Sequence, residues 1–160
     1  MFFLPKNEAI ENLQNMHKNG IDVLLLFFSS AYDGVLKDTN PGKLGRVVKM
    51  KYQTVANGLS YLEAAGILRW QGDDIIYPKA KKMYLPGQGG YFAVHDVFAS
   101  EKFIKNVTEV PKKLALRLLA TGIGSRTHKR ATKGLVFKTK TLMAWAGVDR
   151  FSRLIACLKS

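Results

Sequence analysis

TVANGLSYLEAAGILRWQGDDIIYP, residues 54–78, carries a helical pattern that stops at Ala65-Gly66 and turns at once into two short apolar runs around Gly72-Asp73-Asp74. Val55, Leu59 and Leu62 recur at three- and four-residue intervals and share one helical face, which predicts a helix over 51–65 seated on a core by that face. Gly66 supplies the stop, because glycine takes a left-handed cap without strain. Beyond it, 67–71 and 75–77 read as strands joined across Gly-Asp-Asp, a hairpin signal.

Working backwards, 43–50 (KLGRVVKM) reads as a short helix with Leu44, Val47 and Val48 on one face. DGVLKDTNPGK before it is a turn-rich connector. Residues 21–32 are apolar on nearly every side, as expected of a central helix covered by its neighbours. A short amphipathic helix over 7–17 has Ile10, Leu13 and Met16 three residues apart, interleaved with the acidic Glu8 and Glu11, and ends near Gly20. Three helices and then a hairpin are the order of a winged helix. Residues 21–80 resemble the winged helix-turn-helix superfamily, with Thr54, Val55, Leu59, Leu62, Glu63, Gly66, Ile67 and Leu68 matching its recognition-helix pattern. The resemblance implies a mainly α fold with a small β-hairpin wing, and duplex DNA as partner. Gln53, Thr54, Asn57 and Ser60 are then the outward residues of the recognition helix, since short amides and hydroxyls there pair with base edges, and Lys51 at its start joins the DNA-binding residues. Arg69 in the wing is placed to reach a phosphate or the minor groove, whereas Asp73 and Asp74 at its tip would repel DNA.

Downstream, 91–98 reads as a strand, followed by a charged connector, EKFIKNVTEV. Residues 111–120 form a helix with Pro111 in its first turn. LMAWAGVDRFSRLI resembles a second helix-turn-helix, with a helix ending at Ala146, a turn at Gly147-Val148, Asp149 as N-cap and a helix from Arg150 onward. Arg153 stands where the family most often has a buried valine, while Phe151, Leu154, Ile155 and Leu158 still form a stripe, so this helix is expected to be rotated by about one residue. The division expected is a winged-helix domain over 1–85, a strand and connector over 86–110, and a basic helix-turn-helix-like domain over 111–160.

Charge sharpens the expected partner. The 160 residues hold 25 Lys and Arg against 12 Asp and Glu, a balance of +13. Residues 111–160 carry 12 of those cations and a single acid, Asp149, and therefore +11 of the total. Such polarity points to a polyanion. Arg126, Lys129, Arg130, Lys133, Lys138 and Lys140 repel one another unless phosphates lie between them, which makes 125–140 a phosphate clamp. An anionic membrane is the weaker fit, because the segment has no apolar face wide enough to insert. No apolar run reaches the ~18 residues of a membrane span. MFFLPKNE lacks the pattern of a secretory leader, and the single Cys157 in LIACL reads as a small buried thiol in a reducing compartment. The expected location is the cytoplasm, on nucleoid or plasmid.

Other motifs point to no chemistry. ATGIGSR has Gly-x-Gly after a helix and lacks the lysine of a phosphate loop. His17, His95 and His128 are isolated, and His95-Asp96 would point to opposite faces of a strand, so neither a metal, another cofactor nor an active site is expected. Tyr61, Trp70, Tyr77, Trp145 and the phenylalanines read as core rather than as stacking platforms. The resulting expectation is a non-catalytic double-stranded DNA-binding protein in which Gln53, Thr54 and Asn57, with Arg150 and Ser152, read bases, and Arg153 joins the DNA-binding residues. Two modules suit two adjacent grooves, or one half-site in a homodimer. Similarity to tandem winged helices of plasmid and phage replication initiators, partition adaptors and transcriptional regulators implies a role of that kind. The rivals are an RNA or single-strand binder, which needs exposed aromatics, and an interaction module whose basic tail meets a replication or segregation partner.

Overall fold

The computed structural model describes residues 1–85, 87, 90–120 and 139–159. The chain runs through β1 (Phe2–Pro5), α1 (Lys6–Leu13), α2 (Lys18–Ser30), β2 (Val35–Leu36), α3 (Pro41–Arg46), α4 (Tyr52–Ala64), β3 (Arg69–Gln71) and β4 (Asp74–Ile76). It continues through α5 (Ala80–Met83), β5 (Tyr91–Val94), a 3-10 turn (Asp96–Ala99), α6 (Glu101–Asn106), α7 (Glu109–Ala120), α8 (Thr139–Ala146) and α9 (Phe151–Lys159). Across the described residues the fold is mainly helical with two small antiparallel sheets, one ordered β2-β4-β3 and the other pairing β1 with β5. Among the described residues no helix is long and apolar enough to cross a membrane.

α2 is the centre, buried without interruption from Gly20 through Phe28. Its all-round apolarity is matched by neighbours on all sides: α3 and α4, β1 and the 3-10 turn. α4 packs on it and on α3 and buries Val55, Leu59 and Leu62, each at most 3% exposed. Burying each such side chain contributes about 1.5–3 kcal/mol. The closest approach is at Gly58, where an added Cβ would lie 2.5 Å from Val23 Cγ2 and 2.6 Å from the Asn19 carbonyl oxygen. Gly66, at φ +73, ends the helix. Its N–H donates to the Glu63 carbonyl at 2.9 Å and that of Ile67 donates to Leu62 at 2.9 Å, so two carbonyls of the last turn are satisfied together. The hairpin follows with Trp70 opposite Ile75 and Gly72 at φ +63 in the turn.

Four local expectations shift. α3 stops at Arg46, and the turn after it swings Val47 outward to 76% exposure while Val48 stays buried. α1 ends at Leu13 rather than 17, yet Met16 remains fully buried in the turn that follows. The expected strand over 91–98 is a strand only to Val94, because His95 Nδ1 accepts the Val97 N–H at 3.2 Å and bends the chain into the 3-10 turn. The charged connector forms α6, whose first turn is capped by Ser100 Oγ accepting the Phe103 N–H at 3.3 Å.

The β1–β5 ribbon turns Phe2, Leu4, Phe92 and Val94 inward, into one core shared with α2, α4 and, from α7, Leu116 and Ala120. That core runs continuously past positions 85 and 110. A second cluster of Val110, Leu114, Ala146 and Leu154 joins α7 to α8 and α9. α8 ends at Ala146 and Gly147 follows at φ +69, as the sequence predicts. α9 opens one residue later than expected: the Arg150 carbonyl, not that of Asp149, accepts the first helical bonds, from Arg153 at 3.1 Å and Leu154 at 3.2 Å. Leu154 is buried and Arg153 exposed, in keeping with the one-residue rotation expected.

Candidate nucleic-acid interface

The apolar stripe of α4 leaves Gln53, Asn57 and Ser60 exposed on its outer face, with exposed Lys51 just before its first turn and Thr54 half-buried at the margin. Gln53 Nε2 donates to Asn57 Oδ1 at 2.8 Å, tying the two amides one turn apart into a unit. Gln53 Oε1 then remains as an acceptor and Asn57 Nδ2 as a donor, the pair of functions that an adenine edge complements in a major groove. Tyr52, 60% exposed, overhangs the start of the same helix. Seven residues before Leu59, it has the period of a buried position, yet its ring stays largely in solvent. Tyr52, Asn40, Ser60 and Trp70 help line a shallow cleft of about 400 Å³ between α3, α4 and the hairpin.

Arg69 is exposed at the head of β3. At the hairpin tip, the Asp73 carbonyl accepts the Thr39 N–H at 2.8 Å and Asp74 Oδ1 accepts the Asp38 N–H at 2.9 Å. These bonds brace the tip against the loop entering α3. The half-buried Asp74 carboxylate is engaged internally, and Lys43 lies 3.2 Å from the Asp38 carboxylate. Asp73 is exposed and Asp74 half-buried at this tip.

On the C-terminal side Lys140, Arg150, Ser152 and Arg153 are exposed. Arg126, Lys129, Arg130, Lys133 and Lys138 lie outside the described residues. Three other cations of the same basic region turn inward. Lys112 is fully buried: its Nζ pairs with Asp22 and donates to the Ile104 carbonyl at 2.8 Å. Lys18 Nζ closes on the same two groups, at 2.8 Å from Asp22 Oδ2 and 2.7 Å from the Ile104 carbonyl. Burial pulls the Lys112 ammonium down to about 8, against the attraction of Asp22. Lys113 donates to the Gln14 carbonyl at 2.7 Å and lies 2.9 Å from Glu109. Arg117 is half-buried, and burial lowers its pKa. The basic count of 111–160 thus overstates its basic surface, and the sequence hides this because Asp22 stands 90 residues from Lys112.

The two groups of candidate residues are linked through one turn. Gln14 faces Gly147 so closely that a Cβ there would collide with its carbonyl oxygen, and Tyr61, near the end of α4, donates to the Asn15 carbonyl at 3.5 Å. Residues 14–17 therefore lie between the end of α4 and the α8–α9 turn. The structure gathers Gln53, Thr54, Asn57 and Ser60 on α4, next to Lys51, and Ser152 and Arg153 on α9, next to Arg150. Among the described residues no group of three His, Cys, Asp or Glu side chains is placed to hold a metal ion. Compared with family models, curated proteins and solved structures, the chain finds no match.

Proposed function

We propose that the chain is a winged helix-turn-helix protein that binds duplex DNA without catalysing a reaction, with α4 as its reading helix. The observation that carries this reading is the division of α4: Val55, Leu59 and Leu62 sealed in the core, and Gln53, Asn57 and Ser60 turned outward behind Lys51. The succession α2, α3, α4 and the β3–β4 hairpin, with β2 as third strand, supports the resemblance in its sequence. Gln53 and Asn57 read a base edge, with Thr54 and Ser60 beside them. Lys51, Arg69, Lys140 and Arg153, together with Arg126, Lys129, Arg130, Lys133 and Lys138, hold phosphates and set the register, and Arg150 and Ser152 read bases in the second groove. A role in plasmid or phage replication, partition or transcriptional control rests on analogy, as do a homodimer and a replication or segregation partner.

In vitro selection for bound duplexes supplies the test. Asn57→Ala and Gln53→Ala should erode discrimination between the selected site and random duplex by about 1–3 kcal/mol per base contact, while Lys129→Ala and Arg130→Ala weaken both alike. Affinity for random duplex should fall with salt at a log–log slope of about −4 or steeper. A flat salt response removes the phosphate contacts, and equal behaviour of the two variant sets removes the division of labour.

A further inference from the structure

A second surface lies away from α4. The outward face of the β1–β5 ribbon presents Phe3 and Tyr91, whose rings meet edge-to-face with centroids 5.1 Å apart. Tyr84, just after α5, extends the row at 5.1 Å from Tyr91. Tyr32 is 83% exposed, and it shares with Phe3 and Tyr84 the lining of a cleft of about 330 Å³. Burial and the nearby Asp33 raise the Tyr84 phenol above its ordinary value, so the ring stays neutral. Contiguous exposed aromatics on a folded chain mark a contact surface.

Charge around the row selects the occupant. Lys6 follows Pro5, which pairs with Tyr91 across the ribbon, and Lys81 and Lys82 lead along α5 toward Tyr84; all three lysines are exposed. Asp33 is the acid that shares a cleft with Lys81 and Tyr84. The same face of a second copy fits poorly, because it would bring Lys6, Lys81 and Lys82 against their own counterparts. Neutral aromatic faces bordered by lysines match unpaired bases and the phosphates between them, since every base has a face to stack and every nucleotide a charge to neutralise.

We propose that Phe3, Tyr91, Tyr84 and Tyr32 form a stacking platform for single-stranded nucleic acid, with Lys6, Lys81 and Lys82 taking the flanking phosphates. This surface is independent of the α4 face. The test is fluorescence anisotropy of the full chain with labelled dT15, rU15 and a random duplex. Tyr84→Ala with Tyr91→Ala should weaken single-strand binding about tenfold for each base that loses its ring and leave duplex binding within about twofold. Tyr84→Phe with Tyr91→Phe should keep wild-type affinity, because stacking uses the ring and not the hydroxyl. Lys81→Ala with Lys82→Ala, both exposed, should flatten the salt dependence of single-strand binding, and this pair decides the question if the tyrosine variants fail to fold. Tighter binding of dT15 or of rU15 identifies the strand as DNA or RNA. The proposal is overturned if the wild type binds neither oligomer, if the alanine variants bind them unchanged, if duplex binding falls equally, or if the alanine variants alter only self-association or capture of an acidic protein.

Discussion

Asp22 lies fully buried between the ammonium groups of Lys18 and Lys112, and the Ile104 carbonyl accepts from both lysines. Burial strips Lys112 of water, and Lys18 adds a second cation against the one anion, so Lys112 falls to about 8 from its ordinary 10.5. Because the unfolded chain then binds more protons across that interval, stability should rise as pH climbs from about 8 towards 10.5 and fall again as pH returns through about 8. Urea midpoints measured across this range should show the rise, and Lys112→Met should abolish it. Asp22→Ala removes the carboxylate and leaves two ammonium groups facing one carbonyl. It should cost about 3–5 kcal/mol in urea unfolding; a loss under about 1 kcal/mol would mean that water reaches the cluster. None of this is legible locally, since Asp22 reads as the polar edge of an apolar run and Lys112 as one more cation in a basic region.

α4 and α2 show what a single element reveals and what it hides. The stripe of Val55, Leu59 and Leu62 is visible as a period, and Gly66 as a stop, because each depends on residues within a turn or two. The place where the helices touch is not visible, since Gly58 has no side chain to contribute to the pattern. Its missing Cβ admits Val23 Cγ2 and the Asn19 carbonyl. Gly58→Ala should therefore force the pair apart and cost about 1–3 kcal/mol, whereas Ser60→Ala on the outer face should stay within about 0.5 kcal/mol, both read from thermal or urea unfolding. Equal effects would place the helix interface elsewhere. The end of α3 escapes the periodic pattern for a related reason: Leu44, Val47 and Val48 suit one face only while the helix continues, and its end at Arg46 separates Val47 from Val48.

At the scale of the molecule, the turn over 14–17 ties the α4 side to the α8–α9 pair. Gln14 accepts from Lys113 at 2.7 Å and crowds Gly147, whose φ of +69 disfavours any side chain. Gly147→Ala should loosen α8 and α9 from the rest, so amide exchange should quicken in 139–159 and stay slow in α2 and α4. Uniform quickening would show a single cooperative unit instead. Read alone, the sequence determined the net charge, the stripe and stop of α4, the hairpin around Gly72 and the helix ending at Ala146, because charge is additive and these signals span only a few residues. Only the tertiary structure decided that β1 pairs with β5, that Lys112 leaves the basic surface for Asp22, and that Phe3, Tyr84 and Tyr91 face outward as a row. Burial and pairing depend on which distant segment covers a residue, and a single sequence carries no local mark of that segment.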